Sequence, residues 1–448
     1  MKDTISFGTD GIRGRADLYP FTPQALFYLG CAFAYWAQEQ YQISSPKLLI
    51  CGDTRISFDR IKNDLITGLS KFPVTIIDAG VLPTPALCQL MMHDKSIDAG
   101  LVISASHNPY VDNGIKFFGK DNCKLNAQEE ARIVALYEHF SKNSEQLVPH
   151  DKAQIYRWQT AASTYQDLVG AHFTENFLEG LTVVLDCSNG ATSAVAPAIF
   201  KALKARVITL NDQPNGFNIN DRCGALYPEN LAYEVVRWGA DIGFAFDGDG
   251  DRVIAVNKYG QIKDGDDILY QLLALPEYAQ ERAVVGTVMT NQALECALEA
   301  QNRDLVRAAV GDKYVFASLE QEQLLLGGEN SGHIILKNYL PTCDAIFTAL
   351  MVLMSLMHQK NWDFITFEKF PQVLINVPVA QKKDLAVDPF QNIIQEYEQL
   401  LEHGRVLVRY SGTENLLRVM TEAPNHDYAR HIAQVLAARL QQALNLDI

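Results

Sequence analysis

Three carboxylates stand at every second position of the segment FDGDGDR, residues 246–252: Asp247, Asp249 and Asp251, separated by glycines and followed by Arg252. Oxygen ligands spaced so closely suit one hard divalent cation, and the glycines permit the backbone dihedrals that turn all three inward. Without a cation between them the three charges repel. The pattern is not an EF-hand loop, because the sixth and twelfth positions hold Arg252 and Lys258 rather than Gly and Glu. A solvated acidic turn is the plainer alternative.

A second group is SASHNP at residues 104–109, continuing through NGIKFF at 113–118. Ser106 and His107 sit on a tight turn after the apolar run Leu101-Val102-Ile103. This is not the G-x-S-x-G elbow of hydrolases, and a Ser-His pair alone is more often a capped turn than a nucleophile. Lys116 could act as acid/base or phosphate contact, or be an ordinary solvated lysine. In FGTDGIRG, residues 7–14, Arg13 offers a guanidinium fork that matches phosphate. In GGENSGH, residues 327–333, Glu329, Ser331 and His333 supply donors and acceptors for a polyhydroxylated ligand or simply a hydrophilic turn. In RYSGTEN, residues 409–415, the turn at Ser411, Gly412 and Thr413 with Arg409 and Arg418 could form an anion nest or an exposed basic turn. No Walker A or G-x-G-x-x-G segment is present, so nucleotide binding has no support.

These segments must be held by the elements around them. Short β-branched or apolar runs at residues 47–53, 74–79, 181–186 and 283–288 each lead through a Gly/Asp/Asn/Pro turn toward a helical pattern. That alternation indicates βαβ units and mainly parallel sheets, with ligands at the carboxyl ends of strands. The tail differs: a strand at 372–379, a Glu/Gln-rich helix at 391–403, two strands and a final helix at 428–444 suggest a smaller α+β domain. The expected fold class is α/β: three consecutive α/β domains (1–150, 151–256, 257–366) and a C-terminal α+β domain (367–448).

A chain of 448 residues is too long for one core. Its net charge of -15 argues against nucleic acid as a partner, which needs a basic face, but not against a small phosphorylated one. The start lacks a signal-peptide pattern, and the longest mainly apolar stretch, residues 345–357, falls short of the roughly 20 residues needed to cross a bilayer. It reads as a buried helix, with no membrane partner. Eight scattered cysteines without a C-x-x-C pair fit free thiols in the cytoplasm.

Together and in order, the five segments resemble the α-D-phosphohexomutase superfamily across nearly the whole chain, and most nearly its bacterial phosphoglucosamine mutase branch, through FGTDGIRG, SASHNP, DNGIKFF, FDGDGDR and the GE-x-SGH loop. The resemblance implies a heart-shaped, four-domain enzyme, often a homodimer, with one loop per domain entering a central cleft. It implies Ser106 as the phosphoryl carrier, Ser104 as structural, and one Mg²⁺ held by Asp247, Asp249 and Asp251 with the phosphate on Ser106. Arg13, His107, Lys116 and Arg252 would surround the transferring group, with Lys116 a candidate acid/base. Glu329, Ser331 and His333 would read sugar hydroxyls; Arg409, Ser411, Gly412, Thr413 and Arg418 would clamp the other phosphate; Lys313 would face substrate. The implied reaction converts glucosamine 6-phosphate to glucosamine 1-phosphate through a hexose 1,6-bisphosphate, for amino-sugar and cell-wall precursors. Mannose or glucose phosphates are the alternative substrates, and a metal-dependent phosphatase or a non-catalytic sugar-phosphate sensor the competing classes. Asn415 stands where the family has Pro after SGTE, and Tyr410 precedes Ser411.

Overall fold

The computed structural model describes residues 4–147, 153–401, 403–411 and 415–445. Among these residues, four sheets follow one another along the chain. The first has the strand order Ile12–Arg15, Asp112–Phe118, Ala99–Ile103, Lys47–Gly52, Thr75–Val81, Gln154–Arg157. Its central strand, Lys47–Gly52, reads as a continuous apolar run because both faces are covered. Leu48 and Ile50 pack with Phe33, Trp36 and Leu65 from the helices Pro23–Tyr41 and Phe58–Leu69. Leu49 and Cys51 face the other way, toward Leu87 and Leu90 of Thr84–His93.

The second sheet runs Ile262–Lys263, Val253–Asn257, Ile242–Phe246, Thr182–Asp186, Arg206–Leu210, and the third Asp304–Ala308, Ala283–Thr287, Leu326–Gly328, Ile334–Leu336. One continuous core joins the first three sheets, and the helix Ala345–Gln359 lies within it, capped by Asp344. The long apolar stretch of the sequence is thus a buried helix. No helix among the described residues is long and apolar enough to cross a membrane. The C-terminal sheet is antiparallel, ordered Gln372–Pro378, Leu416–Glu422, Arg405–Tyr410, with its own core against Phe390–Glu398 and His426–Asn445.

The first three sheets are parallel at their centres and antiparallel at one side. The antiparallel pairs matter for function. The candidate loops leave strand ends, as expected, and are hairpin connections. Residues 104–111 join Ala99–Ile103 to Asp112–Phe118, residues 247–252 join Ile242–Phe246 to Val253–Asn257, and residues 329–333 join Leu326–Gly328 to Ile334–Leu336. A hairpin anchors a short loop at both ends, as positioning several polar groups within ångströms requires. The turns into helices become buttresses: Thr84 N–H donates to Asp249 O at 2.8 Å, and Ala191 N–H to Gly248 O at 2.8 Å.

Candidate active site

The register Phe246↔Val253 places Asp247, Asp249 and Asp251 within one hairpin loop, closed at its far end by Arg252. Gly250 takes φ +70, a left-handed turn that a residue with a side chain rarely adopts. Asp247, Asp249 and Asp251 are all buried, and one ligand oxygen from each lies within 4.8 Å of the others. Asp247 Oδ1 accepts the backbone N–H groups of Asp251 and Arg252, both at 3.1 Å. Asp249 Oδ2 accepts from Thr84 Oγ1. Asp249 Oδ1 and Asp251 Oδ1 are buried without a hydrogen-bond partner. Native structures seldom leave buried carboxylate oxygens unpaired. An all-oxygen set with two such atoms fits a hard divalent cation.

Lys116, 1% exposed, reaches this cluster from the strand Asp112–Phe118. Its Nζ donates to Asp251 Oδ2 at 2.7 Å and Asp249 Oδ2 at 2.8 Å, and pairs with Asp10 Oδ2 at 3.2 Å. Burial alone would push its pKa down, but Asp10, Asp249 and Asp251 hold the ammonium well above the usual lysine range. Burial raises Asp247 well above the carboxylate range, with Asp251 and Asp249 adding to it. Against the same burial, Lys116 keeps Asp251 well below that range. Asp10 is likewise lowered, because Lys116, Lys124 and Arg13 overcome its desolvation.

Ser106 sits opposite. Its Oγ donates to Asp247 Oδ2 at 2.6 Å and lies 3.3 Å from His107 Nδ1. Ser106 has φ +51, a left-handed backbone that costs on the order of 1–3 kcal/mol at a non-glycine and persists where the surroundings over-determine it. Its N–H donates to Ser104 Oγ at 2.8 Å. Burial and then Arg252 lower His107 to about 4, so its imidazole is neutral near pH 7. Arg13, on Ile12–Arg15 opposite Gly114, pairs with Asp10.

The third sheet completes the cavity. Glu329 Oε1 accepts the Gly311 N–H at 2.8 Å. His333 lies 3.7 Å from Asp251 and 3.7 Å from Asp312, and these carboxylates raise its pKa against the effect of burial. Asp10, Asp251, Arg252, Asp312, Glu329 and His333 line a cavity of about 130 Å³. Lys124 spans it, pairing with Asp10 from the first domain and Asp312 from the third. Ser331 is half-buried on the same hairpin loop. Lys313 lines a neighbouring cavity of about 590 Å³ and shares a small cleft with Thr9, Lys116 and Lys124, its Nζ 5.5 Å from the Tyr314 ring centre.

Arg409, Ser411 and Arg418 form a separate cluster in the C-terminal domain. Arg409 and Arg418 are directly opposed across antiparallel strands, and Arg418 donates to Ser411 Oγ at 3.4 Å. Two guanidiniums so placed offer paired N–H donors to an anion. Gly412 and Thr413 fall outside the described residues. Tyr410 Oη accepts the Lys383 N–H at 2.9 Å, and Asn415 O accepts the Val379 N–H at 3.0 Å.

Sequence pattern alone assigns no role to Asp10, Lys124, Asp312, Thr84, Arg55 or Asn220, all of which the structure brings to these loops. Asp10 lies inside the FGTDGIRG segment, and its position three residues before Arg13 is the available signal. Lys124 and Asn220 carry no local signature.

Family models for phosphoglucomutase/phosphomannomutase cover the chain domain by domain: α/β/α domain I at residues 4–144, domain II at 163–260, domain III at 264–367 and the C-terminal domain at 374–439. The chain belongs to this family. It is an enzyme of the isomerase class, a phosphohexomutase. Proteins named phosphoglucosamine mutase from Acinetobacter baylyi and Aeromonas hydrophila are each 42% identical to it, over 96% and 98% of this chain and 98% and 99% of theirs. Among solved structures, a phosphoglucomutase/phosphomannomutase family protein from Burkholderia thailandensis has TM-score 0.78 at 21% identity, covering 100% of this chain and 99% of that one. The Aspergillus fumigatus N-acetylphosphoglucosamine mutase in complex with GlcNAc-6P and magnesium has TM-score 0.67 at 17% identity, covering 99% and 96%. At these identities the two structures share the fold.

Proposed function

We propose that this phosphohexomutase converts glucosamine 6-phosphate to glucosamine 1-phosphate in the cytoplasm through a phosphoserine at Ser106. The observation that carries the mechanism is the 2.6 Å hydrogen bond from Ser106 Oγ to Asp247 within a three-carboxylate loop. The relatives named phosphoglucosamine mutase, matched over nearly the full chain, support the choice of sugar.

Asp247, Asp249 and Asp251 would hold Mg²⁺, which neutralises charge on the phosphoryl group and makes Ser106 a better leaving group. The sugar hydroxyl attacks phosphorus, the P–Oγ bond of Ser106 breaks, and the hydroxyl proton passes to an acid/base side chain. Reversal from the other phosphate of the resulting 1,6-bisphosphate restores phosphoserine and releases product. Phosphoryl transfer leaves the protein mainly positioning and charge neutralisation. Lys116, held protonated by its three carboxylates, supplies fixed positive charge at the transferring group. Arg13 and Arg252 supply forks for phosphate oxygens. Neutral His107 flanks the serine, its Nδ1 3.3 Å from Ser106 Oγ. Glu329, Ser331 and His333 bind hydroxyls, and Arg409, Ser411 and Arg418 hold the distal phosphate, so that the intermediate can turn over between two anion sites.

The test is turnover with Mg²⁺ and a hexose 1,6-bisphosphate primer, comparing glucosamine 6-phosphate, glucose 1-phosphate and mannose 1-phosphate. A kcat/KM strongly favouring glucosamine 6-phosphate supports the assignment. A preference for glucose or mannose phosphate moves the substrate and keeps the mechanism, and sustained phosphate release would replace the mutase by a phosphatase.

A further inference from the structure

We infer that Arg55 and Asn220 are positioning residues for phosphoryl transfer, clamping the Ser106 loop against the metal loop from two domains; this rests on the phosphoserine reading above. Arg55 lies in the turn after Lys47–Gly52 and is buried. Its Nε pairs with Asp53 Oδ2 at 2.9 Å. Its Nη2 donates to the carbonyls of Ser106 at 3.0 Å and Asn108 at 2.8 Å, while Nη1 donates to Asp112 O at 2.9 Å and to Pro109 O. One planar guanidinium therefore satisfies four carbonyls of a single loop, which an ammonium could not do.

Asp53 closes the ring. Its Oδ2 accepts from Ser104 Oγ at 2.7 Å, and Ser104 Oγ accepts the Ser106 N–H at 2.8 Å. Both polar groups of the Ser106 backbone are thereby tied to one Asp53–Arg55 pair.

Asn220 reaches the same loop from the second domain. Its Nδ2 donates to Ser106 O at 2.9 Å and Asn108 O at 3.1 Å, the two carbonyls that Arg55 Nη2 also holds. A Cβ at Gly248, inside the metal loop, would lie 2.6 Å from Asn220 Nδ2 and 2.7 Å from Ser106 O. The serine loop, Asn220 and the metal loop thus meet without spare room. The left-handed backbone at Ser106 is what this clamp over-determines. Neither residue touches the reacting atoms; both act through backbone carbonyls. In-line transfer tolerates little error, and a shift of about 1 Å lowers rate by about 100-fold.

The test compares Asn220→Ala and the isosteric Asn220→Asp with the parent, measuring kcat, KM for glucosamine 6-phosphate, Mg²⁺ affinity and melting temperature. The expected result, read well below melting, is a fall in kcat of about 10- to 100-fold with KM and Mg²⁺ affinity within about twofold; the left-handed Asn220 backbone, φ +58, lowers melting in the Ala variant on its own account. Parental kcat in both variants overturns the inference, and so does a fall in kcat that parallels a loss of Mg²⁺ affinity. If neither variant folds, Arg55→Lys decides on the same readouts. Ser106→Ala is measured alongside. If it stays active, the phosphoserine reading fails; if it is inactive while Asn220→Ala is fully active, the clamp alone fails.

Discussion

Adding Mg²⁺ to the unphosphorylated, metal-free protein should release protons, with Asp247 as their source, because burial raises its carboxyl well above the ordinary range. Asp247 is buried, and desolvation, followed by Asp251 and Asp249, pushes its carboxyl well above the usual range. Asp251 is different, since Lys116 at 2.7 Å keeps it ionised. A carboxyl of ordinary affinity is ionised above about pH 5 and would give up nothing at about pH 6.5. Metal ligands bind in the deprotonated form, so each pH unit below the raised Asp247 value weakens Mg²⁺ binding about tenfold, ~1.4 kcal/mol. Affinity should therefore rise with pH above the ordinary carboxylate range, over about pH 5 to 7. Isothermal titration in that interval, in two buffers of different ionisation enthalpy, counts the protons directly. In Asp247→Asn the release should vanish and binding weaken, because a charged ligand is lost. A count of zero in the parent, with pH-independent affinity over that interval, would refute the reasoning.

The opposed Arg409 and Arg418 predict that Arg409→Ala raises KM for glucosamine 6-phosphate about 10- to 100-fold, matching ~1.5–3 kcal/mol for a hydrogen bond to a charged group, and an unchanged KM in steady-state assays would contradict the clamp. Arg405 pairs with buried Glu422 at 2.7 Å and donates to Val288 O at 2.7 Å and Thr290 O at 2.8 Å, joining the C-terminal domain to the third. Arg405→Ala leaves that carboxylate without its main partner, a loss of ~3–5 kcal/mol, and should speed proteolysis in the linker before Gln372–Pro378, as read by limited digestion. Asp344 is raised to about 6 by burial, so its contribution is greatest at low pH and is lost as pH rises through about 4 to 6. Asp344→Asn should therefore lose ~2 kcal/mol less stability than the parent between about pH 4.5 and 7, measured by urea unfolding at both pH values.

Local residue types make the strands and the chemistry legible in the sequence itself. The run IGFAF before the acidic loop, and VIAVN after it, marks a hairpin whose loop is mostly carboxylate and glycine, and the structure has that hairpin at Ile242–Phe246 and Val253–Asn257. The buried helix at Ala345–Gln359 is likewise written in its apolar run. Long-range contacts stay hidden, because they have no local pattern. Lys124 joins Asp10 to Asp312 across 114 and 188 residues of chain, and Asn220 meets Ser106 across 114. Arg55 reads as an ordinary turn residue, because nothing in its neighbours reveals four carbonyls arriving from residues 106 to 112.

The most direct test of the central claim is the phosphorylation state of Ser106 during turnover. The protein is incubated with a hexose 1,6-bisphosphate and Mg²⁺, quenched, digested and examined by peptide mass spectrometry, before and after glucosamine 6-phosphate is added. The account predicts one phosphate on the peptide carrying Ser106, and its loss as glucosamine 1,6-bisphosphate appears. An unmodified Ser106 throughout, or parental turnover by Ser106→Ala, would contradict it.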